Sequence, residues 1–188
     1  PLGDRDAMHP RNPHRDGYDF ETLAARYPAI GAYLRRPGRE GMMVDFADPD
    51  AVACLNAALL SCYHGIPNWE APPGYLCPGV PGRFDYLLHV LDLPQVPQLG
   101  ARVLDIGCGA SGIYCLLAAS SFDCSCVGAE VDPQAIKICR SLVDKTPGIR
   151  DRIDIRRQTD ATCILTGALT PSDMFDVSVC NPPFFPSE

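Results

Sequence analysis

The sequence predicts an α/β protein: a Rossmann-like, doubly wound parallel sheet preceded by an N-terminal helical module. Three observations carry that prediction. From residue 98 onward, short apolar runs of strand length alternate with segments of helical period. The first of those runs ends in a glycine-rich turn that opens a helix. The stretch before residue 98 holds helical periodicities and clustered prolines in place of strands. Strands alternating with helices of this length build βαβ units, which put a ligand at the carboxyl ends of the strands.

The elements follow in order. Pro1-Leu2-Gly3 reads as the scar of a cleaved expression tag, and residues 1–18, polar and broken by Pro10, Pro13 and Gly17, are expected to form a flexible basic arm. Asp19 is a good N-cap for a short helix carrying Phe20, Leu23, Ala24 and Tyr27, which Pro28 ends or restarts. Asp48-Pro49 opens a second helix, with Val52, Leu55, Ala58, Leu59 and Cys62 at helical spacing up to Gly65. Five prolines make 66–82 a connector. A third helix is expected over 83–93, with Phe84, Leu87, Leu88 and Leu91 on one face, so that 19–97 forms the helical module with its proline-rich connector. Within 98–188, strands are expected at 101–106, 125–130, 152–156 and 174–180, and helices at 112–120 and 133–144. The second of these helices repeats the Asp-Pro start, at Asp132-Pro133.

Composition narrows the class. With 46% hydrophobic and 21% charged residues in 188, disorder throughout is excluded. No stretch approaches the roughly 20 apolar residues of a membrane helix, and the first 18 residues lack the apolar core of a signal peptide, so a cytoplasmic or nuclear location and no membrane partner are expected. Most of the ten cysteines sit inside apolar runs and read as small buried hydrophobes. There is no C-x-x-C pair, so no metal site is expected. The net charge of −7 argues against broad affinity for nucleic acid, but residues 1–41 carry seven arginines against six acids, leaving a polyanion a local place to dock.

Three motifs carry chemistry. Val103-Leu104-Asp105-Ile106-Gly107-Cys108-Gly109-Ala110-Ser111-Gly112 is a strand running into a glycine turn, where the backbone can approach a ligand and helix N-terminal amides favour an anionic group. As G-x-G-x-x-G it also fits a dinucleotide. Asp105, two residues before the first glycine, tilts the reading toward S-adenosylmethionine, whose ammonium needs a carboxylate. At the end of the second strand Glu130 is placed to accept from both ribose hydroxyls, Asp132 being better used as the cap before Pro133. At the end of the fourth strand, Asn181-Pro182-Pro183-Phe184 presents two acceptors, the Asn181 amide oxygen and the Pro182 carbonyl, with the Phe184 ring for stacking. That set suits a planar exocyclic amine.

Together these motifs resemble class I methyltransferases of the amino-methylating kind. His9-Pro10-Arg11-Asn12 with Tyr18-Asp19-Phe20, then Asp45-Phe46-Ala47-Asp48-Pro49, Pro73-Gly74-Tyr75-Leu76-Cys77-Pro78 and Pro81-Gly82-Arg83, are similar to the ribosomal RNA large subunit methyltransferase F family and its eukaryotic relative, methyltransferase-like protein 16. The resemblance runs from His9 to Phe185. It implies a strand order 3-2-1-4, with 98–188 the N-terminal part of an S-adenosylmethionine-dependent methyltransferase domain. It also implies transfer of a methyl group to the N6 of one adenosine in a structured RNA, ribosomal or U6-type small nuclear. By the same resemblance Arg83 reaches the methionine carboxylate, Gly107 and Gly109 the methionine moiety, Glu130 the ribose, and Thr162 lies near the adenine end. Arg11, Asn12 and Arg15 would contact RNA phosphates. Cys108 stands where relatives often carry threonine.

A class I sheet has seven strands and the sequence supplies four. The expectation is therefore that the C-terminal strands are missing, that the last strand is an open edge, and that a separate chain supplies the other half, the 188 residues alone being poorly active. Two other readings remain: methylation of a protein glutamine side chain, which the same turn serves, and a non-catalytic RNA-binding module using the core as a scaffold.

Overall fold

The structure, a computed structural model, describes residues 8–36, 41–160 and 162–182. Its helical module consists of α1 (Phe20–Arg26), a 3-10 turn (Pro28–Tyr33), a two-residue antiparallel pair of β1 (Leu34–Arg35) with β2 (Met43–Val44), α2 (Pro49–His64) and α3 (Val80–Leu91). The α/β part runs β3 (Arg102–Ile106), α4 (Ile113–Ser121), β4 (Ser125–Glu130), α5 (Pro133–Lys145), a short 3-10 turn (Arg150–Arg152), β5 (Ile153–Arg157) and β6 (Val177–Cys180). All pairings in the larger sheet are parallel, in the order β5-β4-β3-β6. Counted along the chain from β3, that is the expected 3-2-1-4.

Local chemistry sets the helix starts. Asp19, Asp48 and Asp132 each accept a hydrogen bond from a backbone N–H of the first turn, and proline follows directly after the last two, where its missing N–H costs nothing. Gly65 closes α2 in the left-handed conformation, at φ 69°. The third helix starts at Val80 and not at 83, because Pro81 sits in its first turn, a position open to proline for the same reason. The fourth strand starts at Val177 and not at 174. The preceding residues instead turn around Asp173 and Asp176, which accept from the Thr170 and Arg102 amides, and Phe175 lies under the Arg102 guanidinium at 5.3 Å.

The main core lies on one face of the sheet. Leu116, Leu117 and Ala118 of α4, fully buried, pack between Val103, Cys126 and Val179 of the sheet and Leu59, Leu60, Leu87 and Leu88 of α2 and α3. Seven of the nine residues of α4 are buried, which is why its sequence is apolar all round and carries no stripe. Cysteines 108, 115, 124, 126 and 139 are buried free thiols in this core. Among the described residues no helix is long and apolar enough to cross a membrane.

The flexible arm is a correction. From residue 8 the segment is held on α3 and α2: Asp85 Oδ1 accepts from the His9 backbone N–H at 2.8 Å and from the Asn12 side-chain amide at 2.9 Å, and the amide also donates to Pro81 O at 3.1 Å. Arg11 and His9 both pair with Asp92, and His14 meets His64 in the interior.

Candidate active site

Beyond Ile106 the backbone turns through Gly107, Gly109 and Gly112, at φ of 72°, 64° and 54°. The reasons for glycine differ along the turn. A Cβ on Gly112 would stand 2.4 Å from Cys139 Sγ, so α5 packs directly on that position. A Cβ on Gly107 or Gly109 would meet nothing of the described residues within 4 Å, so these two residues border space that a ligand can enter. The loop is pinned from behind, with the Gly107 and Cys108 amides both donating to Ala129 O, at 2.9 and 3.1 Å. The Cys108 side chain points inward, toward Cys139 and Gly128, so its identity does not face the ligand side.

Glu130 ends β4 beside this loop. Its Oε2 accepts from Gly109 N at 2.8 Å, and its Oε1 from Val131 N at 2.7 Å and Asp132 N at 3.0 Å. The carboxylate that the sequence assigns to ribose is thus also the clamp that holds two strand-end turns together. Asp132 takes the capping role expected of it, accepting from Gln134 N at 2.8 Å. Its second oxygen accepts from the Tyr75 hydroxyl at 2.6 Å, which ties the proline-rich connector to the rim of the site.

Asp105 is 1% exposed and, among the described residues, its Oδ1 has no hydrogen-bond partner. The contact to Oδ2 comes from the Cys115 thiol at 3.8 Å, a weak donor. Burial pushes the Asp105 carboxyl up to about 7; the nearby Glu130 charge adds to that, while the Cys115 thiol and Arg83 oppose it. An orphaned carboxylate oxygen costs free energy unless something cationic or hydrogen-bonding completes it.

Arg83, on the first turn of α3, reaches across to the opposite wall. Its Nη1 donates to the Tyr114 hydroxyl at 3.0 Å and to Asn181 Oδ1 at 2.8 Å. The structure therefore brings Arg83, Asp105, Gly107, Gly109, Glu130 and Asn181 together at the carboxyl ends of β3, β4 and β6. Pro182 follows Asn181 and is exposed, while Phe184 lies outside the described residues. Thr162 is exposed in the loop after β5, with its hydroxyl and amide both donating to Asp160 Oδ1.

Two residues in the site fall outside the sequence expectations for it. Tyr114 is signalled only as a polar tip on an otherwise apolar helix, and Tyr75 only as part of the connector block. Of the three residues expected on RNA, Arg11 is exposed and paired with Asp92, and Arg15 is half-buried. Asn12 needs correction. It is 4% exposed and its amide is spent on Pro81 O and Asp85, so it anchors the segment and does not present itself to a phosphate.

Residues 3–188 match the sequence model of a family described as RNA methyltransferase. Over 187 residues the chain is 40% identical to the ribosomal RNA large subunit methyltransferase F of Shewanella sp. (strain MR-4), covering 97% of this chain and 51% of that protein. The chain thus spans about half the length of this curated relative. Among solved structures it resembles the N-terminal domain of human METTL16 in complex with SAH, with TM-score 0.83 and 31% identity over 94% of this chain and 70% of that one. It also resembles the hMettl16 catalytic domain in complex with the MAT2A 3'UTR hairpin 1, with TM-score 0.83 and 32% identity over 96% of this chain and 61% of that one.

Proposed function

The chain belongs to this RNA methyltransferase family, and from that premise we propose that it serves methyl transfer from S-adenosylmethionine to the N6 of one adenosine in a structured RNA, ribosomal or small nuclear. Its sheet order and its likeness to the METTL16 domain give the core a class I methyltransferase fold.

The observation that carries the reading is the unpartnered Oδ1 of buried Asp105 beneath an open glycine turn. The residues present fit the donor. Asp105 would face its ammonium, Arg83 its carboxylate, the Gly107 and Gly109 backbone its methionine part, Glu130 its ribose, and Thr162 its adenine end. When bound, S-adenosylmethionine supplies an electrophilic sulfonium methyl. Asn181 Oδ1 and the Pro182 carbonyl would accept the two N–H groups of the target amine, favouring a pyramidal nitrogen whose lone pair is available, and Phe184 would stack on its ring. No general base is needed, since the amine proton becomes acidic only as the new bond forms. Arg11 and Arg15 lie on the segment packed along α3, and a phosphate on Arg11 would compete with Asp92.

Among the described residues β6 pairs only with β3, and its other edge is the place where a further strand would join, from this polypeptide or a separate one. Light scattering with amide exchange reads this: a monomer whose β6 amides are already protected on both sides rejects it. The function itself is tested by incubating ribosomal and small nuclear RNA transcripts with labelled donor, followed by nucleoside mass spectrometry. N6-methyladenosine is the expected product. Methyl on another base atom, or on protein alone, rejects the assignment.

A further inference from the structure

Arg83, which joins the donor end of this site to its catalytic turn, is itself held by a side chain that belongs to none of the recognised motifs. Tyr114, at the start of α4, is 4% exposed, and its hydroxyl accepts from Arg83 Nη1 at 3.0 Å. The same nitrogen donates to Asn181 Oδ1 at 2.8 Å. A guanidinium Nη carries two N–H groups, so these two acceptors use it completely and fix the plane of the fork. The Nε–Nη2 edge has no protein partner among the described residues, and that edge has the spacing for a bidentate carboxylate. The Tyr114 ring also lies beneath the guanidinium, 5.6 Å from Cζ to the ring centroid, and is itself backed by Tyr86 at 5.5 Å. Burial raises the Tyr114 hydroxyl above its ordinary value, so it accepts from Arg83 as a neutral phenol.

We propose that Tyr114 is a positioning residue: by occupying Nη1 together with Asn181, it turns the Nε–Nη2 edge of Arg83 toward the amino-acid carboxylate of the methyl donor and keeps the carbonyl end of Asn181 facing the target amine. This rests on the donor-site reading given above. It makes carboxylate capture and the alignment of the catalytic turn two ends of a single hydrogen-bonded unit.

Tyr114→Phe keeps the ring and removes only the hydroxyl. Two ligands then separate positioning from packing: S-adenosylhomocysteine, which carries the amino-acid end, and 5'-methylthioadenosine, which lacks it. Calorimetry on the variant should show S-adenosylhomocysteine bound about tenfold more weakly, the scale of one hydrogen bond to a charged group, with methylthioadenosine bound as by the wild type. In an Arg83→Met background the same change should cost nothing further, because Tyr114 acts through Arg83. Equal losses for both ligands would show a merely structural tyrosine and overturn the proposal, as would an unchanged affinity for S-adenosylhomocysteine. A wild-type protein that binds neither ligand overturns the donor-site reading itself and is told apart by that result.

Discussion

Arg83 and Asn181, 98 positions apart in the chain, are joined by a 2.8 Å hydrogen bond from Nη1 to Oδ1. An arginine has donors only, so it selects the oxygen end of the asparagine amide and fixes which way the side chain faces. The residue expected to bind the donor thus also orients the residue expected to act on the substrate. Asn181→Ala should lower the single-turnover rate of methyl transfer by about 10², the usual scale for a lost positioning group, with a much smaller effect on donor affinity. If donor binding collapses and the single-turnover rate at saturation is intact, Asn181 belongs to the donor pocket alone.

Glu130 makes three backbone contacts, to the amides of residues 109, 131 and 132, so its replacement removes more than a ribose partner. Glu130→Ala should weaken donor binding by about 1 to 3 kcal/mol and also lower the melting temperature, since amides that had a charged acceptor lose it. Glu130→Gln should keep part of the clamp and recover much of the stability. A variant that loses affinity with an unchanged melting temperature would reduce Glu130 to a ligand contact.

The Asp-capped helix starts, the alternation of strands and helices, the glycine turn and the acids Asp105 and Glu130 are legible because each is written locally. The strand order, in contrast, comes with the family resemblance, and the start of α3 lies three residues before its expected place. An Asp-Pro pair caps a helix wherever it sits, and a glycine turn after an apolar run announces itself. What escaped the sequence depends on contacts far along the chain. Asn12 looks like a free polar residue until Pro81 and Asp85, 69 and 73 positions away, take up its amide. Tyr114 looks like one more member of an apolar helix until Arg83 reaches it from 31 positions upstream. The polar composition of residues 8–18 reads as mobile for the same reason, because its partners lie on α2 and α3.

Burial holds the Asp105 carboxyl up at about 7, against an ordinary value near 3.8. The folded state therefore keeps a proton that the unfolded chain releases, and this contribution to stability is complete below about pH 4 and is lost as pH rises to about 7. Donor binding runs the other way, because the ammonium needs the ionised form. Affinity for S-adenosylhomocysteine should rise between pH 6 and 8 in the wild type and be weak and flat in Asp105→Asn. The stability of the variant relative to wild type should grow over the range from pH 4 to 7. Parallel melting curves across that range would remove Asp105 as the titrating group.

Gly112 combines a left-handed backbone with a neighbour in the way: a Cβ there would approach Cys139 Sγ to 2.4 Å. Gly112→Ala should destabilise by about 2 to 4 kcal/mol, adding an overpacking cost to roughly 1 kcal/mol for the backbone. Cys139→Ala vacates the sulfur position, so the double variant should recover the packing part and keep the backbone part. Strictly additive denaturation midpoints would mean that the thiol does not hold this turn against α5.

The docked N-terminal segment ends in a buried pair, with His14 Nε2 3.0 Å from His64 Nε2, and His64 Nδ1 2.9 Å from Ser121 Oγ. Facing nitrogens at that distance need one donor and one lone pair, so the two rings cannot both be protonated. Burial depresses His14 to about 4 and His64 to about 3, the proximity of His14 adding to the shift on His64. Both lie below the unfolded value near 6.5, so the unfolded chain takes up protons that the folded protein refuses. The stability they give is complete above about pH 6.5 and is lost as pH falls through about 4 for His14 and about 3 for His64, with a slope of at most about 2.7 kcal/mol per pH unit for two sites. The turn amides of Asn12, Arg15 and Gly17 donate to His9, Asn12 and His14 within the segment itself, so they should open before the sheet does. Hydrogen exchange should therefore show these amides losing protection between pH 6.5 and 5, with β3 and β4 still protected. His14→Gln should flatten that dependence. If the variant segment opens along the same pH curve as the wild type, the imidazole pair is not what locks it to the fold.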